Sequence, residues 1–290
     1  MNKAGKVSPD AVSAPENEKQ EAFEYLCQVS ETVSCGACCG LYNISGLSKQ
    51  SLEKLLHQRT EAFERVPRTI EGIDGFQKQN EGWTPQERPF PDFHHCVFLG
   101  LVGESRQRVG CLLHPEASGN NGIDWRGLSF YGGMACRTYF CPGCKQLPQR
   151  YLKILKQTMN HWFLFGLVVT EYRLLTAFFE ALENKAGRLL TPDDFLKSPE
   201  ATARFRDLLE IKTNWPFRSV SSPGPCHYMF ENGQYKRQPV QRNHPDIPAS
   251  VYEMIFTELD SVFDSKQDLR IAEAVLDKLF SEITAGIQPR

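Results

Sequence analysis

The chain has 290 residues, and 33 Lys and Arg stand against 35 Asp and Glu for a formal net charge of −2. No global field therefore draws it to nucleic acid or to an anionic membrane. Hydrophobic residues make up 41% and charged residues 23%, ordinary globular usage that supports a packed core. The longest apolar stretch with aromatic support, Trp162 to Val169, falls far short of the ~20 residues that a bilayer-spanning helix needs.

Met1 to Gln20 is polar and broken by Pro9 and Pro15. It lacks the basic start and apolar run of an export signal, so the cytosol, where thiols stay reduced, is the expected compartment. Residues 1–18 read as a flexible tail with nothing to bury. A short helix is expected around Lys19 to Gln28, with Phe23, Leu26 and Cys27 on one side and Cys27 serving as a small buried hydrophobe. Ser48 caps a predicted helix running to about Arg65, with Leu52, Leu55, Leu56 and Phe63 at helical spacing. Pro67 to Pro91 is rich in Gly, Pro, Asp and Gln and reads as irregular. Val97 to Val102 and Leu112-Leu113 suggest a small hairpin in a segment otherwise rich in Gly and Asn. Such a segment needs a pin other than a core, and metal is one.

After Pro148 the pattern turns helical. Tyr151, Leu152, Leu155, Met159, Trp162 and Phe163, then Leu174, Leu175, Phe178, Phe179 and Leu182, follow i, i+3, i+4 spacing up to a stop at Gly187. Thr191-Pro192 and Ser198-Pro199 carry the cap-then-proline signature of helix starts. Asn232-Gly233 predicts a two-residue hairpin turn. Ser250-x-x-Glu253 and Ser265-x-x-Asp268 open the last two predicted helices. The expected fold class is mainly α: an irregular Cys-rich metal-binding region with little β, packed against a helical C-terminal half. Its expected parts are the tail at 1–18, a cysteine-rich domain at 19–147 and a helical region at 148–290.

The ten cysteines are the anomaly, since eight of them lie between Cys35 and Cys144. They fall into three groups: Cys35-x-x-Cys38-Cys39, the separated Cys96 and Cys111, and Cys136 with Cys141-x-x-Cys144. A C-x-x-C unit lets two sulfurs converge on one cation at ~2.3 Å across a tight turn, as zinc sites require. Iron–sulfur clusters use the same units over a larger cage. Adjacent Cys38 and Cys39 bridge each other only with strain, which speaks against a disulfide framework. Cys35, Cys38, Cys39, Cys96, Cys111, Cys136, Cys141 and Cys144 are therefore the expected metal ligands. His114 stands at zinc-compatible spacing from Cys111, and the adjacent His94 and His95 suit hydrogen bonding around a site better than ligation. No nucleotide fingerprint or Ser-His-Asp set is present, and no catalytic residue is assigned.

These residues resemble a known family. Cys-Gly-Ala-Cys-Cys-Gly, Cys-Val-Phe-Leu, Gly-Cys-Leu-Leu-His-Pro and Cys-Arg-Thr-Tyr-Phe-Cys are similar to the blocks of the YkgJ-like cysteine-cluster family, named for C-x-x-C-x-x-C-C and described as zinc- or iron-chelating. The likeness covers about residues 35 to 144. Flagellin lysine methylases are similar in the same cysteine pattern, which implies an iron–sulfur cluster. The chain departs from the family at Thr32, which replaces the first cysteine of the naming motif, in the longer spacer between Cys111 and Cys136, and in the added Cys144. The surplus of thiols over the four that one zinc takes makes a [4Fe–4S] cluster the first expected cofactor and zinc the second, with a redox or modification role. The alternatives are a zinc-stapled protein-interaction module and a flagellin-methylase-like modifying enzyme. A protein partner is expected in either case; nucleic acid and membrane are not.

Overall fold

In the computed structural model, residues 25–83, 88–226, 230–231, 234–235 and 237–287 are described. Ser48 opens the first long helix, α1 (Lys49–Glu64), and its hydroxyl accepts the Ser51 N–H at 3.1 Å. Leu52, Leu56 and Phe63 lie buried along one face, as their spacing predicts. The Pro67-to-Pro91 stretch departs from expectation, because it contains α2 (Ile70–Gln79), capped by the Thr69 hydroxyl. Gly72 and Gly75 lower its helix propensity, but Ile73 and Phe76 sit one i, i+3 step apart and are buried. Phe76 lies edge-on to Phe63 and stacks on Phe98. Tertiary burial thus overrides a weak local preference.

The expected hairpin is present with one strand displaced. β1 (Leu99–Val102) pairs antiparallel with β2 (Arg108–Cys111), while Leu112 and Leu113 follow the strand and enter the core. α1 lies over β1, where Thr60 Oγ1 accepts the Leu101 N–H at 2.7 Å. Two short helices, α3 (Gly132–Thr138) and α4 (Pro142–Gln146), carry the last cysteine group.

The helical half comprises α5 (Gln149–Thr158), α6 (Trp162–Val168), α7 (Tyr172–Ala186), α8 (Pro192–Leu196), α9 (Pro199–Asn214), α10 (Glu253–Glu258) and α11 (Lys266–Gly286). α7 ends at Gly187 with a left-handed φ of 67°. Ser198 and Ser265 cap α9 and α11 through their hydroxyls. Two further strand pairs are minimal: β3 (Phe230–Glu231) with β4 (Gln234–Tyr235), and β5 (Gln241–Arg242) with β6 (Val262–Phe263). The Asn232-Gly233 turn and the 1–18 segment lie outside the described residues. The fold is mainly α, with three two-stranded sheets among the described residues.

The apolar residues form two clusters. One gathers Leu41, Leu56, Phe63, Phe98 and Leu113 with Trp162 and Leu167 of α6. The other is the helical core, including Phe165, Phe178, Phe205 and Leu276, and it also takes in Leu26, Val33 and Leu147. α6 therefore serves both clusters from opposite faces. Beneath α7 and α9 lies a buried ionic network: Lys212 Nζ is 3.2 Å from Glu171, and Arg237 bonds both Glu171 and Glu258. No single described helix is long and apolar enough to cross a membrane.

Candidate functional site

The cysteine loops are set in place by backbone hydrogen bonds and close glycine packing. Residues 25–28 are not helical, contrary to the expectation for Lys19 to Gln28, whose first residues lie outside the described set. Long-range bonds to β2 prevail over local helix: Gln28 Nε2 donates to the Val109 carbonyl at 2.8 Å, and Ser34 Oγ accepts the Val109 N–H at 2.8 Å. The chain doubles back between them, and the Cys35 N–H donates to the Cys27 carbonyl at 3.0 Å.

Ala37–Cys39 forms one 3-10 turn ending at Gly40. At Gly40, φ is 80° and an added Cβ would stand 2.0 Å from the His94 carbonyl, so only glycine lets this loop rest on the 94–96 segment. Cys39 then accepts the Cys96 N–H on its carbonyl at 2.9 Å. His95 is buried with Nδ1 2.8 Å from the Gly40 carbonyl, a loop-holding role. Cys111 closes β2 opposite Leu99, three residues beyond Cys96. Cys136 sits on α3 with its sulfur 3.3 Å from Ser129 Oγ. Cys141 stands at the N-cap position of α4 and its sulfur lies 3.7 Å from that of Cys144. Gly143 between them packs on the Val169 carbonyl, where a Cβ would come within 2.2 Å.

These elements enclose a cavity of about 780 Å³. Eight of the ten cysteines line it: Cys27, Cys35, Cys38, Cys39, Cys111, Cys136, Cys141 and Cys226. Six of these are among the expected ligands. The other two, Cys96 and Cys144, are buried and do not line it. Cys27, expected as a small buried hydrophobe, and Cys226 are the two lining cysteines outside the expected ligand set. Cys27 reaches the cavity only because residues 28–34 reverse the chain, a contact no local pattern encodes. All ten cysteines are free thiols. His94 and His114 also line the cavity, and His94 stacks on Phe130 with ring centroids 4.0 Å apart. His161 caps α6 through Nδ1, and Arg137 pairs with Asp124 at 2.8 Å. Among the described residues, no group of three or more His, Cys, Asp or Glu is drawn together tightly enough to hold a metal ion.

Burial dominates the acidity of the thiols. It pushes Cys27 up to about 12, Cys96 to about 11 and Cys111 to about 12, since an apolar wall disfavours the thiolate. Two thiols go the other way. The hydrogen bond from Cys144, aided by the backbone amides at the start of α4, lowers Cys141 to about 7. A hydrogen bond from Cys39 lowers Cys38. Tyr131 and Tyr139 at the rim rise to about 12, through burial first and then the nearby thiolate charges. The cations stand on one side: Arg59 acts on Cys96, and Arg126 on Cys111. The site is thus a concentrated store of soft sulfur donors, most of them held protonated by burial.

In comparisons with protein-family models, with curated proteins and with solved structures, this chain matches none.

Proposed function

We propose that this protein is a cysteine-ligated metalloprotein, with a [4Fe–4S] cluster as the first choice of centre and zinc as the second. One observation carries the reading: eight of its ten cysteines line one cavity of about 780 Å³. Free thiols rarely gather in such density for packing alone, and soft sulfur donors select iron–sulfur clusters and zinc over hard cations. The donor set fits either group in chemistry and exceeds it in number, which favours the larger cage of a cluster. The resemblance to the YkgJ-like family supports the same reading. When bound, a cluster would supply one-electron transfer; this chain's own contribution would be to position the thiolates and exclude water with Tyr131, Tyr139 and the apolar wall.

The test is an absorbance spectrum of the full chain purified without oxygen, with iron, sulfide and zinc measured on the same sample. A broad band near ~400 nm that bleaches on reduction is expected. Colourless protein with stoichiometric zinc would move the assignment to zinc, and colourless protein without either metal would overturn it.

A second reading, a zinc staple under a protein-docking rim, is favoured by the apolar side chains around the cavity mouth. Phe130 and Met134 are 65% and 75% exposed, and Tyr25 and Tyr139 are also open. In that case zinc would co-purify, and no reducible band would appear after reconstitution with iron and sulfide.

A further inference from the structure

We propose that Cys141 and Cys144 form a redox-active dithiol that exchanges with low-molecular-weight disulfides entering the cavity. Cys141 is the attacking sulfur and Cys144 the resolving one. This activity goes beyond the metalloprotein reading and does not depend on it.

The geometry selects a pair of thiols. Among the described residues no three ligating groups converge, yet the Cys141 and Cys144 sulfurs already lie 3.7 Å apart. Neighbouring sulfurs are engaged elsewhere: that of Cys35 accepts the Ala37 N–H at 3.4 Å, and that of Cys136 lies 3.3 Å from Ser129 Oγ. The residues between hold the pair in place. Pro142 opens α4 with its φ locked by the ring. Gly143 rests against the Val169 carbonyl, with no room for a Cβ. The Cys144 N–H donates to the Cys141 carbonyl at 3.1 Å and closes the turn. A C-x-x-C spacing of this kind is the one at which thiol–disulfide exchange operates.

Access assigns the roles. Cys141 lines the cavity, whereas Cys144 is 5% exposed and belongs to the helical core with Leu147 and Val169. A disulfide arriving through the cavity therefore meets Cys141 and does not reach Cys144. The cavity also sets the size of the substrate. Its volume of about 780 Å³ is that of a small-molecule site, and Cys141 stands in its wall, out of reach of a disulfide inside a folded protein.

The exchange balances without a further reactant. The Cys141 thiol gives its proton to solvent, and its sulfur attacks one sulfur of R–S–S–R. That S–S bond breaks, a Cys141–S–R bond forms, and the first RS⁻ leaves and takes up a proton. The Cys144 thiol then loses its proton and its sulfur attacks Cys141 Sγ. The second RS⁻ leaves and is protonated in turn. Two protein thiols are oxidised to one disulfide, the small disulfide is reduced to two thiols, and no net proton is released.

The experiment treats the full-length chain, reduced and freed of metal with a chelator under anaerobic conditions, with glutathione disulfide. Acid stops the reaction, remaining thiols are alkylated, and peptides are mapped by mass spectrometry. In the wild type, Cys141 and Cys144 are expected to be joined to each other before any other cysteine is oxidised. Cys144→Ser is expected to stop at one glutathionyl group on Cys141, and Cys141→Ser to lose the reaction at both positions. Far-UV circular dichroism checks the fold of each variant. Insulin, a protein disulfide, is expected to stay intact beside the reduced chain. Wild-type protein that leaves both cysteines alkylated, or joins Cys141 to a different cysteine, overturns the proposal; so does a folded Cys144→Ser variant glutathionylated elsewhere. Reduction of insulin overturns the assignment of a small substrate. The wild-type map decides by itself, so a variant that fails to fold does not shield the proposal. Metal measured before chelation reports separately on the metalloprotein reading, so the failure of one is distinguished from the failure of the other.

Discussion

Gly40 shows how one residue supports the cysteine loops. Its φ of 80° is unfavourable for an L side chain, and the His94 carbonyl occupies the space a Cβ would need. Gly40→Ala must therefore displace either the Cys38-Cys39 turn or the segment carrying Cys96. A loss of about 1–3 kcal/mol in urea unfolding is expected. Lys212 makes a parallel case in the helical half. It is fully buried, 3.2 Å from Glu171, and desolvation lowers its pKa while the Glu171 charge partly restores it. Lys212→Met removes one partner of a buried pair and is expected to cost about 3 kcal/mol. Arg237, which also bonds Glu171, keeps that carboxylate from standing alone and should hold the loss near this lower bound. The urea midpoint of each variant checks both values.

At the scale of the element, α8 depends on its cap. Thr191 and Asp194 form a reciprocal capping box, and the Asp194 carboxylate also accepts two hydrogen bonds from Arg188 at 2.9 Å. Thr191→Ala is expected to cost about 1 kcal/mol. Burial pushes the Asp194 carboxyl up, but the bonds from Arg188 and Thr191 outweigh it, so its pKa in the folded protein lies below the usual carboxylate value. The unfolded chain therefore binds this proton first. The stabilisation is fully present above about pH 4 and is lost as pH falls through the lower folded value. Unfolding midpoints taken from pH ~5 downward should decline more steeply in the wild type than in Asp194→Asn.

At the scale of the molecule, the cysteine-rich region carries more core than its composition suggests. Phe63, Phe76, Phe98 and Leu113 belong to one apolar cluster, with Cys96 and Cys226 among its other members and ring contacts of Phe98 with Phe63 and Phe76 inside it, and α6 ties that cluster to the helical half. Small zinc domains are unfolded without metal; under the metalloprotein reading proposed above, the ring packing of this region would persist once metal is removed. Chelation of the loaded protein is thus expected to preserve most far-UV ellipticity. Faster amide exchange should be confined to Gly132–Gln146 and the Cys35–Cys39 turn. Collapse of the whole helical signal on chelation would contradict this division of labour.

Ser48, Ser198 with Pro199 and Ser265 mark their helices in the sequence because a cap satisfies amides within three residues, so the information is local. The mainly α class, the stop at Gly187 and the eight clustered cysteines were legible for the same reason. α2 was not, because two glycines hide a stripe that matters only once Phe63 and Phe98 are opposite it. Nor was the arrival of Cys27 beside Cys35, which depends on bonds from Gln28 and Ser34 to Val109 some eighty positions away. The chain's composition determined which donor atoms are available, and local spacing determined where helices start and stop. Which sulfurs become neighbours was decided only by tertiary hydrogen bonding and packing, since those energies arise between segments that are distant in sequence.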